Sequence, residues 1–287
     1  MTTNSTQDAA PRYRIVSLLL STHPGPAVAV TVVAVVLGIA VGLEPWRIAV
    51  LGLAVLSNQF SVGLSNDWLD AERDAAVGRP DKPVARGWVT AHAVRAAAFA
   101  TAAAAIVLTL PLGLPATLAH AVFILSAWAY NLGLKGTALS VLPYILSFAL
   151  LPLIATLALP TPAMAAGWAM ALGALLGVAA HFANVLPDLD DDRATGVRGL
   201  PHRLGGRASG IMTYLVLAAA SVVALLGPGG QIDWLRLIGL ALGLAIAAAG
   251  ITLVFTRPLG RLHFQLIIAA ALLNVLQLAL AGQHLLA

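Results

Sequence analysis

The sequence predicts an all-α polytopic membrane protein with about nine transmembrane helices. Three observations predict it. Apolar residues make up 60% of the 287-residue chain and charged residues 10%, against roughly 45–50% and about 25% in a soluble domain. Uncharged intervals recur along the chain, each long enough for one or two crossings of a bilayer core that takes about 20 residues. Lysine and arginine fall on one side of those crossings far more than on the other. So few charges exclude a soluble globule, a disordered chain and a nucleic-acid reader. The net charge of +4 therefore speaks to topology. With no cysteine, disulfides, thiolate catalysis and Cys-ligated metals are excluded.

The intervals run as follows. Arg14 to Glu44 holds one span, entered after Pro24 and Pro26, and Arg47 to Asp67 a second. Arg95 to Lys135 holds two, with Pro111-Leu-Gly-Leu-Pro115 as the turn. Lys135 to Asp188 holds two more, divided at Leu159-Pro-Thr-Pro162, and Pro143 and Pro152 are candidate breaks in the first of them. Arg207 to Asp233, Arg236 to Arg257 and Arg261 to the C-terminus hold one each. With the N-terminus inside, fourteen basic residues fall on the cytoplasmic side and only Arg47 and Arg236 outside. The expected organisation is a cytoplasmic tail over residues 1–22 and one transmembrane domain over 23–287, in the plasma membrane. The first span is expected to stay uncleaved, because eight more follow it.

The acidic residues are not scattered. Asp67, Asp70, Glu72, Asp74 and Asp81 share one cytoplasmic loop, and Asp188, Asp190, Asp191 and Asp192 share another. Carboxylates at a membrane boundary are costly unless solvated, paired or bound to a cation. At about 100° per residue on a helix, Asn66, Asp67, Asp70 and Asp74 fall on one face, and Glu72 points away. Asn184, Asp188, Asp191 and Asp192 likewise share a face. Two facing strips of oxygen ligands suit a hard cation, and Mg²⁺ best, because it binds through a few carboxylates, water and substrate phosphates. Arg79, Lys82 and Arg86 follow the first strip, and Arg193, Arg198 and Arg203 follow the second. Lys135 and Tyr130 end an intervening helix on the same side. Carboxylates for metal beside cations for phosphate oxygens are what a Mg²⁺–diphosphate ligand needs. Asn58 and Gln59 read as inter-helix glue. His181 reads as a satisfied core histidine, and His92, His120, His202 and His263 show no metal-ligand spacing.

At these residues the chain resembles the UbiA-type family of intramembrane prenyltransferases. Asn66, Asp67, Asp70 and Asp74 match its Asn-Asp-x-x-Asp-x-x-x-Asp signature. Asp188 and Asp192 match its second, extended here by Asn184 and Gly196. Arg79-Pro-Asp-Lys82-Pro-Val-Ala-Arg86-Gly resembles the family's Arg-Pro-rich stretch. Lys82 stands where many members carry Arg, Arg86 where a small residue is more usual, and Asp190 and Asp191 make the second motif unusually acidic. The resemblance implies helices around a central cavity open to the cytoplasmic side. It implies Mg²⁺-dependent transfer of a prenyl group from an allylic polyprenyl diphosphate to an aromatic, quinone-precursor or other lipophilic acceptor. The expected metal ligands are Asp67, Asp70, Asp74, Asp188, Asp191 and Asp192. Asp67, Asp70, Asp74, Asp188 and Asp192 are the expected catalytic carboxylates. The expected diphosphate contacts are Asn66, Lys82, Tyr130, Lys135, Asn184, Arg193 and Arg198. A terpene cyclase on the same scaffold would use the same Asp strips without a second substrate. A transporter is the less favoured reading, since its site would lie at the midplane.

Overall fold

The computed structural model describes residues 11–79, 82–189, 192, 196–258 and 260–287, and only the backbone of 11–13 and 188. The described chain is a helix bundle. A short helix α1 (Pro11–Leu20) leads through Thr22 and His23 into α2 (Pro24–Ala40), so the expected tail is helical in its second half. Helices α3 (Pro45–Leu69) and α4 (Ala71–Ala76) carry the first acidic motif. Then come α5 (Ala91–Thr109), α6 (Leu114–Leu132), α7 (Leu142–Leu157) and α8 (Gly167–Val185). A small α9 (Leu200–Leu204) precedes α10 (Gly206–Leu226), α11 (Trp234–Thr256) and α12 (Arg261–Leu280).

The helix starts follow from local chemistry. Proline opens α2, α3, α6 and α7 within the first two positions, where its missing N–H leaves nothing unsatisfied. Thr90 caps α5 by accepting from the Ala93 N–H, and Asp233 caps α11 by accepting from the Arg236 N–H. Pro152 sits inside α7 without dividing it, so the candidate breaks at Pro143 and Pro152 are not breaks.

Every interval expected to hold a span holds a long helix among the described residues. Length and apolar composition qualify six of these helices to cross a membrane: α3, α5 with its 3-10 extension, α8, α10, α11 and α12. The pair α1–α2, bent by 58°, makes a seventh if it is one broken span. The expected nine crossings therefore exceed what length and composition establish.

The main core runs through α2, α3, α6, α7, α8 and α10, with Leu37, Leu51, Phe123, Leu151, Leu172 and Leu217 among its buried side chains. Several polar side chains inside the bundle are paired, as an apolar solvent favours. Thr109 Oγ1 donates to the Ala105 carbonyl at 2.7 Å and so accepts from His120 Nδ1, also at 2.7 Å. His120 Nε2 then accepts from Asn58 Nδ2 at 3.1 Å. Asn58 is thus the expected glue, joining α3 to α6 and, through Thr109, to α5. The end of the bundle opposite the acidic motifs is closed by the C-terminal segment. Leu285 is fully buried, and its carbonyl accepts from the Ala166 N–H at 2.7 Å. Gln283 donates to the Val41 carbonyl at 3.2 Å.

α7 and α8 pack backbone to backbone. A Cβ at Gly177 would collide with the Tyr144 carbonyl and lie 3.0 Å from Phe148 Cβ, and one at Gly173 would meet the Phe148 carbonyl. Gly177→Ala is therefore expected to lower the melting temperature in detergent, by an overpacking penalty of roughly 1–3 kcal/mol. Gly167→Ala, with nothing within 4 Å, is expected to leave it unchanged; equal behaviour of the two variants would refute the close approach.

Candidate active site

The first acidic motif sits at a joint between two helices. α3 stops at Leu69, Asp70 takes φ −91° and ψ 0°, and α4 begins at Ala71. The Asp70 N–H still reaches the Asn66 carbonyl at 3.0 Å, and the Asp74 N–H reaches the Asp70 carbonyl at 2.8 Å. Helical spacing therefore continues across the joint. Asn66, Asp70 and Asp74 stay one turn apart and line the same cavity. Glu72 is exposed, as its position on the opposite face predicts. Asp67 leaves the strip. It is only 2% exposed and turns toward the entry of α2.

Each buried carboxylate has a cation. Lys82 Nζ donates to Asp67 Oδ1 at 2.7 Å and to Asn66 Oδ1 at 3.2 Å. His23 Nε2 lies 2.8 Å from the same Asp67 oxygen. Lys135 Nζ bonds both Asp70 oxygens. Arg73 and Asn66 add bonds to Asp70 Oδ2 at 3.0 and 2.9 Å. Burial raises the Asp74 carboxyl above the usual range, with Lys82 pulling it back and Asp70 adding to the rise. Burial lowers the Lys135 ammonium, against the opposing pull of Asp70.

These groups form one end of a cavity of about 790 Å³. Its polar end gathers Asn66, Asp70, Asp74, Lys82, Tyr130, Lys135, Asn184 and Asp192, eight of the expected site residues. Its remainder is mostly apolar, with Leu37, Phe123, Leu151, Leu176 and Leu278 deep in the bundle and Gln59 and Ser147 among the polar exceptions. Tyr130 packs edge-on against Tyr144, ring centroids 5.2 Å apart. His181 is buried with Nε2 bonded to Ser140 at 3.0 Å, while its Nδ1 has no hydrogen-bond partner, so it is a core histidine satisfied at one nitrogen only. Ser140 also accepts from the Leu200 N–H at 2.9 Å, so this contact ties the second acidic loop to the start of α7.

Of the second motif, Asp192 stands 3.3 Å from His202 Nε2. Asp188 closes a 3-10 turn after α8, and Asp191 and Arg193 lie outside the described residues. Arg198 is exposed and does not line the cavity; its carbonyl accepts from Arg203 Nε at 3.0 Å. Spacing along the chain missed His23, Arg73 and His202, all of which line the cavity. His23 is 44 residues from Asp67, and the only local signal was a polar residue ahead of the Pro-Gly-Pro entry to α2.

The donor set fits a hard divalent cation. All its ligand atoms are oxygen, and Asp67 Oδ2 is buried without a hydrogen-bond partner. Among the described residues no three acidic or histidine side chains converge to hold an ion unaided, and Mg²⁺ takes water and phosphate ligands besides carboxylates.

The sequence model of the UbiA prenyltransferase family matches residues 27–281. The chain belongs to this family. Its members among known relatives include the digeranylgeranylglyceryl phosphate synthase of Natronomonas pharaonis, 29% identical over 219 residues, which are 72% of this chain and 76% of that protein. The synthase of the same name from Methanopyrus kandleri is 29% identical over 192 residues, 66% of this chain and 68% of that one. A UbiA homologue from Archaeoglobus fulgidus, solved with GPP and Mg²⁺, superposes with a TM-score of 0.71 at 13% identity, covering 93% of this chain and 99% of that one. The UbiA protein described here is thus an all-helical, multi-pass membrane prenyltransferase.

The Lys82–Asp67 pair is expected to stabilise the fold. Lys82→Met strands a buried carboxylate and is expected to cost about 3 kcal/mol, the low end for a broken buried pair because the site opens to a cavity. Asp67→Asn combined with Lys82→Met is expected to lose clearly less than the sum of the single changes in denaturant unfolding. Strict additivity would show that the two side chains are not coupled.

Proposed function

We propose that this protein transfers a prenyl group from an allylic polyprenyl diphosphate to a lipid acceptor, with the diphosphate at the polar mouth and the prenyl tail in the apolar cavity. The single observation that carries this reading is the cavity itself, carboxylates and cations at one end and aliphatic side chains along the rest. The Archaeoglobus homologue's GPP and Mg²⁺ support the donor and the metal. The synthases' product, a glyceryl phosphate with two geranylgeranyl groups, supports a lipid alcohol as acceptor ahead of an aromatic or quinone precursor. The positive-inside distribution supports a cytoplasmic side for the N-terminus and both Asp motifs, and the plasma membrane is the proposed location.

Asp67, Asp70, Asp74 and Asp192, together with Asp188 and Asp191 of the second motif, would hold Mg²⁺. The metal supplies charge neutralisation that makes the diphosphate a better leaving group. Lys82 and Lys135 place ammonium groups where negative charge develops on the departing diphosphate. Tyr130 and Asn184 offer hydroxyl and amide hydrogen bonds at the same end, and Arg193 is proposed as a further diphosphate contact from the second loop. The C1–oxygen bond breaks with its electron pair leaving on the diphosphate, and the acceptor oxygen or carbon bonds to C1. The acceptor's proton leaves to water or to a mouth carboxylate. The apolar lining keeps water from the cationic carbon meanwhile.

Diphosphate release by the purified protein tests this reading. Release is expected only with Mg²⁺ and a lipid-alcohol acceptor, and is expected to vanish with EDTA or in Asp70→Asn. Release without acceptor, giving a hydrocarbon or prenyl alcohol, would replace transfer with cyclisation or hydrolysis. Mg²⁺-independent release would sink the assigned metal role.

A further inference from the structure

His23 is the one non-glycine residue with positive φ among the described residues, at φ 53° and ψ 63°. Two constraints oppose that conformation. A side chain with Cβ disfavours the left-handed region, and a residue before proline, here Pro24, is pushed toward extended backbone. Strain of this kind costs about 1–3 kcal/mol and persists only where surrounding structure enforces it. The enforcing contacts surround His23. Ser21 and Thr22 are buried, and Thr22 donates to the Leu19 carbonyl at 2.6 Å. The Thr22 backbone lies so close to Gly63 of α3 that a Cβ there would collide with its carbonyl. The chain is thus pressed against α3 one turn above Asp67, and the left-handed residue swings its ring onto the motif.

The ring ends at the carboxylate that left the acidic strip. His23 Nε2 stands 2.8 Å from Asp67 Oδ1 and 3.2 Å from Lys82 Nζ. The shorter contact makes Nε2 the donor, with the ammonium beside it donating to the same oxygen. Oδ1 is doubly held and Oδ2 is buried and free of hydrogen bonds. We propose that His23 is a positioning residue: it clamps Asp67 through Oδ1 and so presents Oδ2 as a ligand for the divalent cation. This rests on the metal reading of the Asp motif given above. The role requires hydrogen-bond donation and geometry, and no change of charge on the ring.

Three substitutions in the full-length protein separate positioning from mere helix entry. Glycine removes the strain and the ring, alanine keeps the strain and removes the ring, and glutamine keeps the strain and restores a donor near the Nε2 position. Without Mg²⁺, His23→Gly is expected to melt above His23→Ala. The decisive readout is the Mg²⁺ concentration that gives half of the rise in melting temperature, measured with inorganic diphosphate present. Glycine and alanine are both expected to need at least about tenfold more Mg²⁺, as lost support for a metal ligand usually requires, and glutamine is expected to recover most of the loss. Turnover at saturating donor should follow the same order. A glycine variant with the wild-type Mg²⁺ requirement would overturn the proposal and leave His23 a helix-entry residue. A wild-type protein whose melting temperature ignores Mg²⁺ would instead overturn the metal reading, and this one with it.

Discussion

The structure depends on keeping carboxylates charged at the edge of a medium that does not solvate charge. Asp67, Asp70 and Asp74 are 2%, 6% and 3% exposed. An unpaired ion so placed would cost several kcal/mol. Every polypeptide turn at this end delivers a compensating group. The loop after α4 brings Lys82, the 3-10 turn after α6 brings Lys135, and α4 brings Arg73. The entry of α2 brings His23. These elements share little sequence proximity, and the acidic joint between α3 and α4 is what they have in common.

The rest of the bundle divides the work. α7 and α8 are held backbone to backbone at Gly173 and Gly177, which fixes Tyr144 and the start of the second motif on one wall. The Asn58–His120–Thr109 chain ties α3, α5 and α6 and leaves none of its bonding atoms to the cavity. The C-terminal segment closes the far end of the bundle, and the charged side chains of the cavity gather at its mouth.

Much of this was legible in the sequence because helices convert spacing into direction. The positions of the long helices, and the convergence of Asn66, Asp70 and Asp74, needed only the helical repeat. Tyr130 and Lys135 were legible because their helix ends at the right side of the membrane. The same repeat placed Asp67 with the strip, and the structure turns it aside. An angle around one helix does not say which neighbour the side chain meets. His23 and His202 escaped for the related reason that their partners are distant along the chain or across a loop. Arg198 was assigned by proximity to the second motif, whereas its side chain faces solvent. The count of crossings stayed open because α6 and α7 are short or mildly apolar, which no periodicity reveals.

One wall of the cavity has a consequence for how the enzyme meets its substrates. Val32 on α2 and Phe264, Ile268 and Leu272 on α12 line the cavity and are 42–60% exposed. Along this seam accessible apolar side chains of α2 and α12 form the cavity wall. With the proposed prenyl transfer, the bilayer would be the solvent from which donor and acceptor are drawn and into which product returns. The quantity that sets occupancy is the mole fraction of each lipid in the membrane plane. Dilution with inert phospholipid slows such an enzyme even when the amount per volume of sample is unchanged.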